Sequence, residues 1–129
     1  MLLDTHVLVW AMMAPERLSA TARDALVLAD ERSVSAASLY EITLKAILGK
    51  WPEVAPLLSM DLDARLRADG FAVVPASGPV MERAGRFDWA HRDPFDRIIV
   101  ATALERNVAV VSKDDTLDTV PGGDLARIW

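Results

Sequence analysis

Cysteine is absent from this 129-residue chain. Disulfides, thiolate metal sites and cysteine nucleophiles are therefore excluded, and the composition fits a reducing compartment. Histidine occurs only at positions 6 and 91, so acid–base chemistry by paired imidazoles has a single candidate pair. No long apolar run is present. The stretch from His6 to Ala14 is too short to span a bilayer, and Asp4 interrupts the start before any secretory signal can form. Repeats, low-complexity tracts and long linkers are also missing. A soluble, cytoplasmic protein with no membrane partner is expected. There is no basic excess either: net charge is −5 and the pI about 4.9, which at face value argues against a polyanionic partner.

What is present is apolar and ordered. Hydrophobic residues make up 52% of the chain, so disorder is not expected, and the length suits one domain over 1–129 with a single core. Apolar periodicity reads as alternating strands and helices. Short strands are expected at 1–4, 33–36, 71–75, 108–112 and 125–129. Helices are expected at 6–13, 19–31, 38–50, 57–68, 79–89 and 94–106. The helix from Pro94 to Arg106 has almost no polar face and should be deeply packed. The run Val108-Ala109-Val110-Val111 suits a strand buried on both faces. This alternation predicts an α/β fold, a three-layer α/β/α sandwich around a mostly parallel sheet. In such sheets, sites lie beyond the carboxyl ends of the strands.

Acids gather at those expected ends. Asp4 follows Leu2-Leu3. Glu41 falls in the first turn of the helix after the second strand. Asp96 falls in the first turn of the helix beginning at Pro94, and Asp114 comes two residues after Ser112. Helix capping accounts for each one singly. Asp4 or Thr5 suits an N-cap, Ser38-Leu39-Tyr40-Glu41 matches a capping box, and Asp93-Pro94-Phe95-Asp96 is a favourable helix start. Asp114-Asp115 suits a turn. Capping does not account for their joint placement at one sheet edge. Carboxylates brought close together repel, and burial raises the cost. Cations between them relieve both, and hard oxygen donors indicate Mg²⁺, with Mn²⁺ as the alternative. Such a site activates water and stabilises charge on a transferring phosphate. With those four acids neutralised, 14 basic residues face 15 acidic ones, and the global charge no longer argues against nucleic acid.

Four blocks carry a family resemblance: LLDTHVLVW at the start, SAASLYEITLK, HRDPFDRIIVATAL and VVSKD. In series and at this spacing they resemble PIN-domain proteins, and among these the VapC-like toxins of bacterial toxin–antitoxin pairs. The resemblance spans nearly the whole chain. It implies a Mg²⁺-dependent endoribonuclease acting on RNA, a homodimer and a cognate antitoxin. It also implies metal-site acids at Asp4, Glu41, Asp96 and Asp114, with Asp93 as an accessory acid and Thr5 and Ser112 as hydroxyls near the metal. Asp115 stands beside Asp114 as a competitor for its role.

Lys45, Arg92, Arg97 and Lys113 flank these motifs and are candidates for RNA-backbone contacts. The alternative is that Lys45 pairs with Glu41, four residues earlier on one helix face, and that the arginines are solvated. Trp10, Met13 and the helix at 57–68 suit either the core or a groove for an amphipathic partner helix. Three rival functions stand beside the metal reading. One is a metal-independent ribonuclease using His6 and His91. Another is a phosphoryl-accepting Mg²⁺ domain, which lacks its acceptor aspartate here. The third is a non-catalytic PIN-like module that binds RNA or protein.

Overall fold

The computed structural model describes residues 1–122 and 125–129. Five strands form one sheet: β1 (Leu2–Leu3), β2 (Arg32–Ser35), β3 (Phe71–Val74), β4 (Val110–Val111) and β5 (Arg127–Ile128). Their spatial order is β3-β2-β1-β4-β5, and every described pairing is parallel. The helices are α1 (Thr5–Met13), α2 (Ala20–Leu28), α3 (Ala36–Ile47), α4 (Leu62–Ala68), α5 (Gly78–Arg86) and α6 (Pro94–Arg106).

Alternation along the strands builds the layers. Successive strand residues point to opposite faces, so Leu2 and Leu3 enter different cores. Leu3, Val34 and Val111 join Val7 and Leu8 of α1, Ala22 of α2, Ile42 of α3 and Leu66 of α4. Leu2, Val74 and Val110 join Ile99, Val100 and Ala103 of α6. Helix α5 closes over α6 through Val80, Ala84 and Ala101. The expected α/β sandwich with a parallel sheet is borne out. Helix α6 has the expected bounds, and five consecutive residues of it, Ile99 to Ala103, are buried. It ends where Asn107 adopts a left-handed conformation (φ 52) and its N–H reaches back to the last carbonyls.

Several boundaries differ from the sequence reading. The helix expected at 57–68 is two pieces, a 3-10 segment Pro52–Ser59 and then α4. Pro56 lies inside the first piece, and the Asp61 carboxylate caps the second by accepting from Ala64 N–H. Helix α2 stops at Leu28 and α5 at Arg86, and the flanking strands are shorter than the apolar runs that contain them. Helix α3 starts earlier than expected. Ser35, the last residue of β2, is its N-cap and accepts from Ala37 N–H at 3.2 Å. The S-x-x-E match at Ser38 is therefore no capping box, and Glu41 lies in the second turn rather than the first. The physical reason is that Ser35 is already extended (φ −73, ψ 140) and carries the hydroxyl a cap needs, so strand passes into helix without a loop.

Strand order also locates the crevice. From β1 the chain moves to β2 and then β3 on one side, and after α5 and α6 it returns to β4 on the other side of β1. The switch point lies between β1 and β4, where open parallel sheets bind ligands. Leu3 pairs with Val111 there. The next residues on each strand are Asp4 and Ser112.

Candidate metal centre

Asp4 is buried at 6% exposure. It caps α1, accepting from Val7 N–H at 2.7 Å, and its own N–H donates to the Val111 carbonyl at 3.1 Å. Burial pushes its carboxyl up to about 6. Hydrogen bonds from Ser112 and Val7 oppose that rise, and the charge of Glu41 adds to it. Glu41 is buried on α3 at 4% exposure. Its charge is met by Lys45, one turn on, in a short ion pair. Asp4 thus caps α1 through one oxygen, and Glu41 is near enough for its charge to raise the Asp4 carboxyl.

Asp93 caps α6 by accepting from Phe95 N–H at 2.8 Å and more weakly from Asp96 N–H at 3.4 Å. That leaves the half-buried Asp96 carboxylate free to turn inward. Its pKa is raised, first by burial and then by the charges of Asp93 and Asp4, while His91 opposes the rise. His91 Nε2 lies 2.7 Å from Asp96 Oδ2. Among the described residues, one set of potential metal donors lies within 4.8 Å of one another: His91, Asp96 and Asp114. Asp114 is half-buried. Its N–H donates to Ser112 Oγ at 3.0 Å, and its carboxylate accepts from Thr116 N–H at 2.9 Å. Asp115 is exposed and outside that set.

The four expected acids thus meet at one sheet edge, but not equally. Asp96 and Asp114 form the tight group. Asp4 and Glu41 lie outside its 4.8 Å limit, yet near enough for Asp4 to raise Asp96 and for Glu41 to raise Asp4. Buried carboxylates that lift one another's pKa and have no arginine among them fit a divalent cation as counter-charge. Behind them is a layer of buried hydroxyls. Thr5 Oγ1 donates to Ser38 Oγ at 3.1 Å, and Ser112 is fully buried.

The basic candidates separate. Arg92 and Lys113 are exposed beside the acids. Lys45 holds Glu41 and lies within 5.9 Å of the ring centres of Trp51 and Phe95. Arg97 turns away from the acids: its guanidinium donates to the carbonyls of Ala84 and His91 at 2.9 Å, Trp89 at 3.2 Å, and Phe87. Its donors are spent on the backbone of the α5–α6 connection, which removes it from the set free to meet a ligand. Sequence reasoning considered His91 only as half of a histidine pair with His6. The usable signal was its place, five residues before Asp96 in the HRDPFD block. His6 is exposed and packs against Trp51 with ring centres 4.5 Å apart and planes inclined at 35°.

A sizeable cavity lies elsewhere. It measures about 780 Å³ and lies toward the opposite edge of the sheet, between the end of α1, α2 and the starts of β2 and β3. Met12, Leu26 and Phe71 give it apolar walls, and Arg23, Arg32 and Arg65 line it too. None of Asp4, Glu41, Asp96 or Asp114 lines it. Trp10, expected in core or groove, is mainly core: it is 8% exposed and packs on Trp129 at 5.8 Å.

Residues 1–123 match the PIN domain family. This chain belongs to that family. Across its length it is similar to Ribonuclease VapC22 of Mycobacterium tuberculosis, with 34% identity covering 99% of this chain and 97% of that one. Solved structures with the same fold include VapBC2 of Rickettsia felis bound to a promoter DNA fragment. That match has TM-score 0.69 and 17% identity, covering 99% of this chain and 98% of that one. Another is Mycobacterium tuberculosis VapC20, a toxin that cleaves the sarcin–ricin loop, with TM-score 0.63, 15% identity and 92% of each chain covered. No helix among the described residues is long and apolar enough to cross a membrane.

Proposed function

We propose that this PIN-domain protein is a divalent-metal-dependent endoribonuclease and the toxin of a toxin–antitoxin pair, acting in the cytoplasm as a single domain over 1–129. The observation that carries the reading is the convergence of Asp4, Glu41, Asp96 and Asp114 at the β1–β4 switch point. Similarity to a VapC ribonuclease over almost the full length supports the same activity. Mg²⁺, or Mn²⁺ in its place, would be held by Asp96 and Asp114 with Asp4 and Glu41 as further acids. When bound, the ion supplies charge to a phosphate oxygen and lowers the pKa of a water.

The chain's own residues do the rest. Asp4 and Asp96 are carboxylates placed to take a proton from an attacking water. Ser112 holds Asp4 from behind, Thr5 pairs with Ser38 beside it, and Asp93 keeps Asp96 aimed by capping its helix. Arg92 and Lys113, exposed at the rim, meet RNA phosphates; Lys45 joins them once a cation relieves it of Glu41. Phosphodiester hydrolysis breaks the P–O bond to the leaving oxygen as the water oxygen bonds to phosphorus. The antitoxin blocks the acids with a cation of its own, an Arg or Lys from an extended tail. Its flanking helix lies on apolar surface near Trp10 and Met13, where Met13 is exposed. A two-fold dimer sets two such acid clusters along one groove.

Purified protein freed of any partner should cleave single-stranded RNA with Mg²⁺ or Mn²⁺, and EDTA should stop it. Asp4→Asn or Asp96→Asn should slow cleavage by at least about a hundredfold. Cleavage that survives excess EDTA would replace the metal reading with acid–base chemistry by His6 and His91. RNA bound with metal present but left intact would favour a binding module.

A further inference from the structure

Resting on the metal reading above, we infer that His91 is a direct donor to the ion, so that the site is a mixed nitrogen–oxygen centre preferring Mn²⁺ to Mg²⁺. Three observations carry this. First, among the described residues His91 is one of only three donor groups that come within 4.8 Å of one another, and Asp4 and Glu41 are not among them. Second, the spacing suits shared coordination. Neighbouring ligands of an octahedral ion at about 2.1 Å stand about 3 Å apart, and His91 Nε2 lies 2.7 Å from Asp96 Oδ2. A hydrogen bond has the same length, so distance alone does not choose between a donor to the metal and a brace on Asp96. The third observation chooses.

His91 sits in the connection between α5 and α6, outside any helix or strand. An imidazole there would ordinarily sample many positions. Here Arg97 donates to the carbonyls of Phe87, Trp89 and His91, fixing the backbone that leads into the ring and its own peptide. Trp89 packs against the imidazole with ring centres 4.8 Å apart and planes inclined at 45°, and is itself anchored by its indole N–H to Thr119 Oγ1 at 2.9 Å. A half-buried guanidinium and an anchored indole are thus committed to holding one ring beside Asp96 and Asp114. Bracing Asp96 alone needs little of this, since Asp93 already fixes the start of its helix. Locking an imidazole toward two carboxylates is what a metal donor requires. An imidazole nitrogen suits Mn²⁺ and later metals, whereas Mg²⁺ keeps to oxygen ligands.

The chain has two histidines, which makes the test clean. Mn²⁺ is titrated into the metal-free full chain by continuous-wave electron paramagnetic resonance, and the bound ion is then examined by pulsed methods for nitrogen coupling. Wild type and His6→Gln should both show imidazole nitrogen modulation. His91→Gln should lose it and bind Mn²⁺ about tenfold or more weakly, with Mg²⁺ affinity, read by competition, changed by less than about threefold. Should His91→Gln fold poorly, ¹⁵N-histidine in the wild-type chain serves instead, since the modulation must change to that of ¹⁵N. Bound Mn²⁺ without nitrogen modulation, or modulation that survives His91→Gln, overturns the inference and leaves the carboxylate site standing. A chain that binds no Mn²⁺ overturns both.

Discussion

Asp4→Asn, in protein stripped of divalent cations, removes a charge and little else. The amide oxygen can still accept from Val7 N–H, because asparagine is as good an N-cap as aspartate. The wild-type carboxyl is 6% exposed and titrates near 6 in place of the ordinary 3.8. In the unfolded chain it loses its proton as pH passes 3.8, while the folded chain keeps it to about 6. Between those values the folded state binds more protons, so stability falls as pH rises. Above the folded value the whole cost is present, about 3 kcal/mol at about 1.4 kcal/mol per tenfold. That is a large part of a typical domain's stability of about 5–15 kcal/mol. Urea unfolding in EDTA, from about pH 4 to pH 8, therefore has a definite expectation. Asp4→Asn should exceed wild type by up to about 3 kcal/mol at pH 8, and the two should converge toward pH 4. Mg²⁺ at about 100 times its dissociation constant should restore about 2.7 kcal/mol to wild type and much less to the variant. A variant less stable than wild type at pH 8, or a gap that ignores pH, would show that the charge of Asp4 is well accommodated without a cation.

Lys45→Met keeps the apolar stem near Trp51 and Phe95 but strands the buried Glu41 charge; it should cost about 1–3 kcal/mol in EDTA and less with Mg²⁺, read by urea melts. Arg97→Lys cannot serve four carbonyls with one ammonium and should lose about 2–4 kcal/mol, whereas an arginine reserved for RNA would leave the melt unchanged. Ser35→Ala should cost about 1 kcal/mol as the loss of a helix cap, and thermal melts of the two variants should show Ser38→Ala lacking that cap signature. Light scattering at micromolar protein should give twice the chain mass of 14.1 kDa, and a monomer would remove the shared groove.

Much of this protein is written locally. Leu2-Leu3, Val110-Val111 and the helix from Pro94 to Arg106 are legible because apolar periodicity and an Asp-Pro start are properties of a few adjacent residues. The acids at Asp4, Asp96 and Asp114 are legible for the same reason: each closes or opens an element that the local pattern already delimits. Other features depend on distant parts of the chain. Ser35 rather than Ser38 caps α3, because where a strand gives way to a helix depends on how far β2 stays paired with β3. Arg97 looks like a free cation in sequence, yet its partners lie 6 to 13 residues earlier, brought round by the α5–α6 connection. The joining of His91 with Asp96 and Asp114 rests on strand order. Only when β4 pairs with β1 does Asp114 come to face the start of α6. Composition and short-range pattern thus determined which residues carry charge and which elements bear them. Tertiary packing alone decided which charges meet, since the burial that lifts the pKa values of Asp4 and Asp96 exists only when both faces of the sheet are covered.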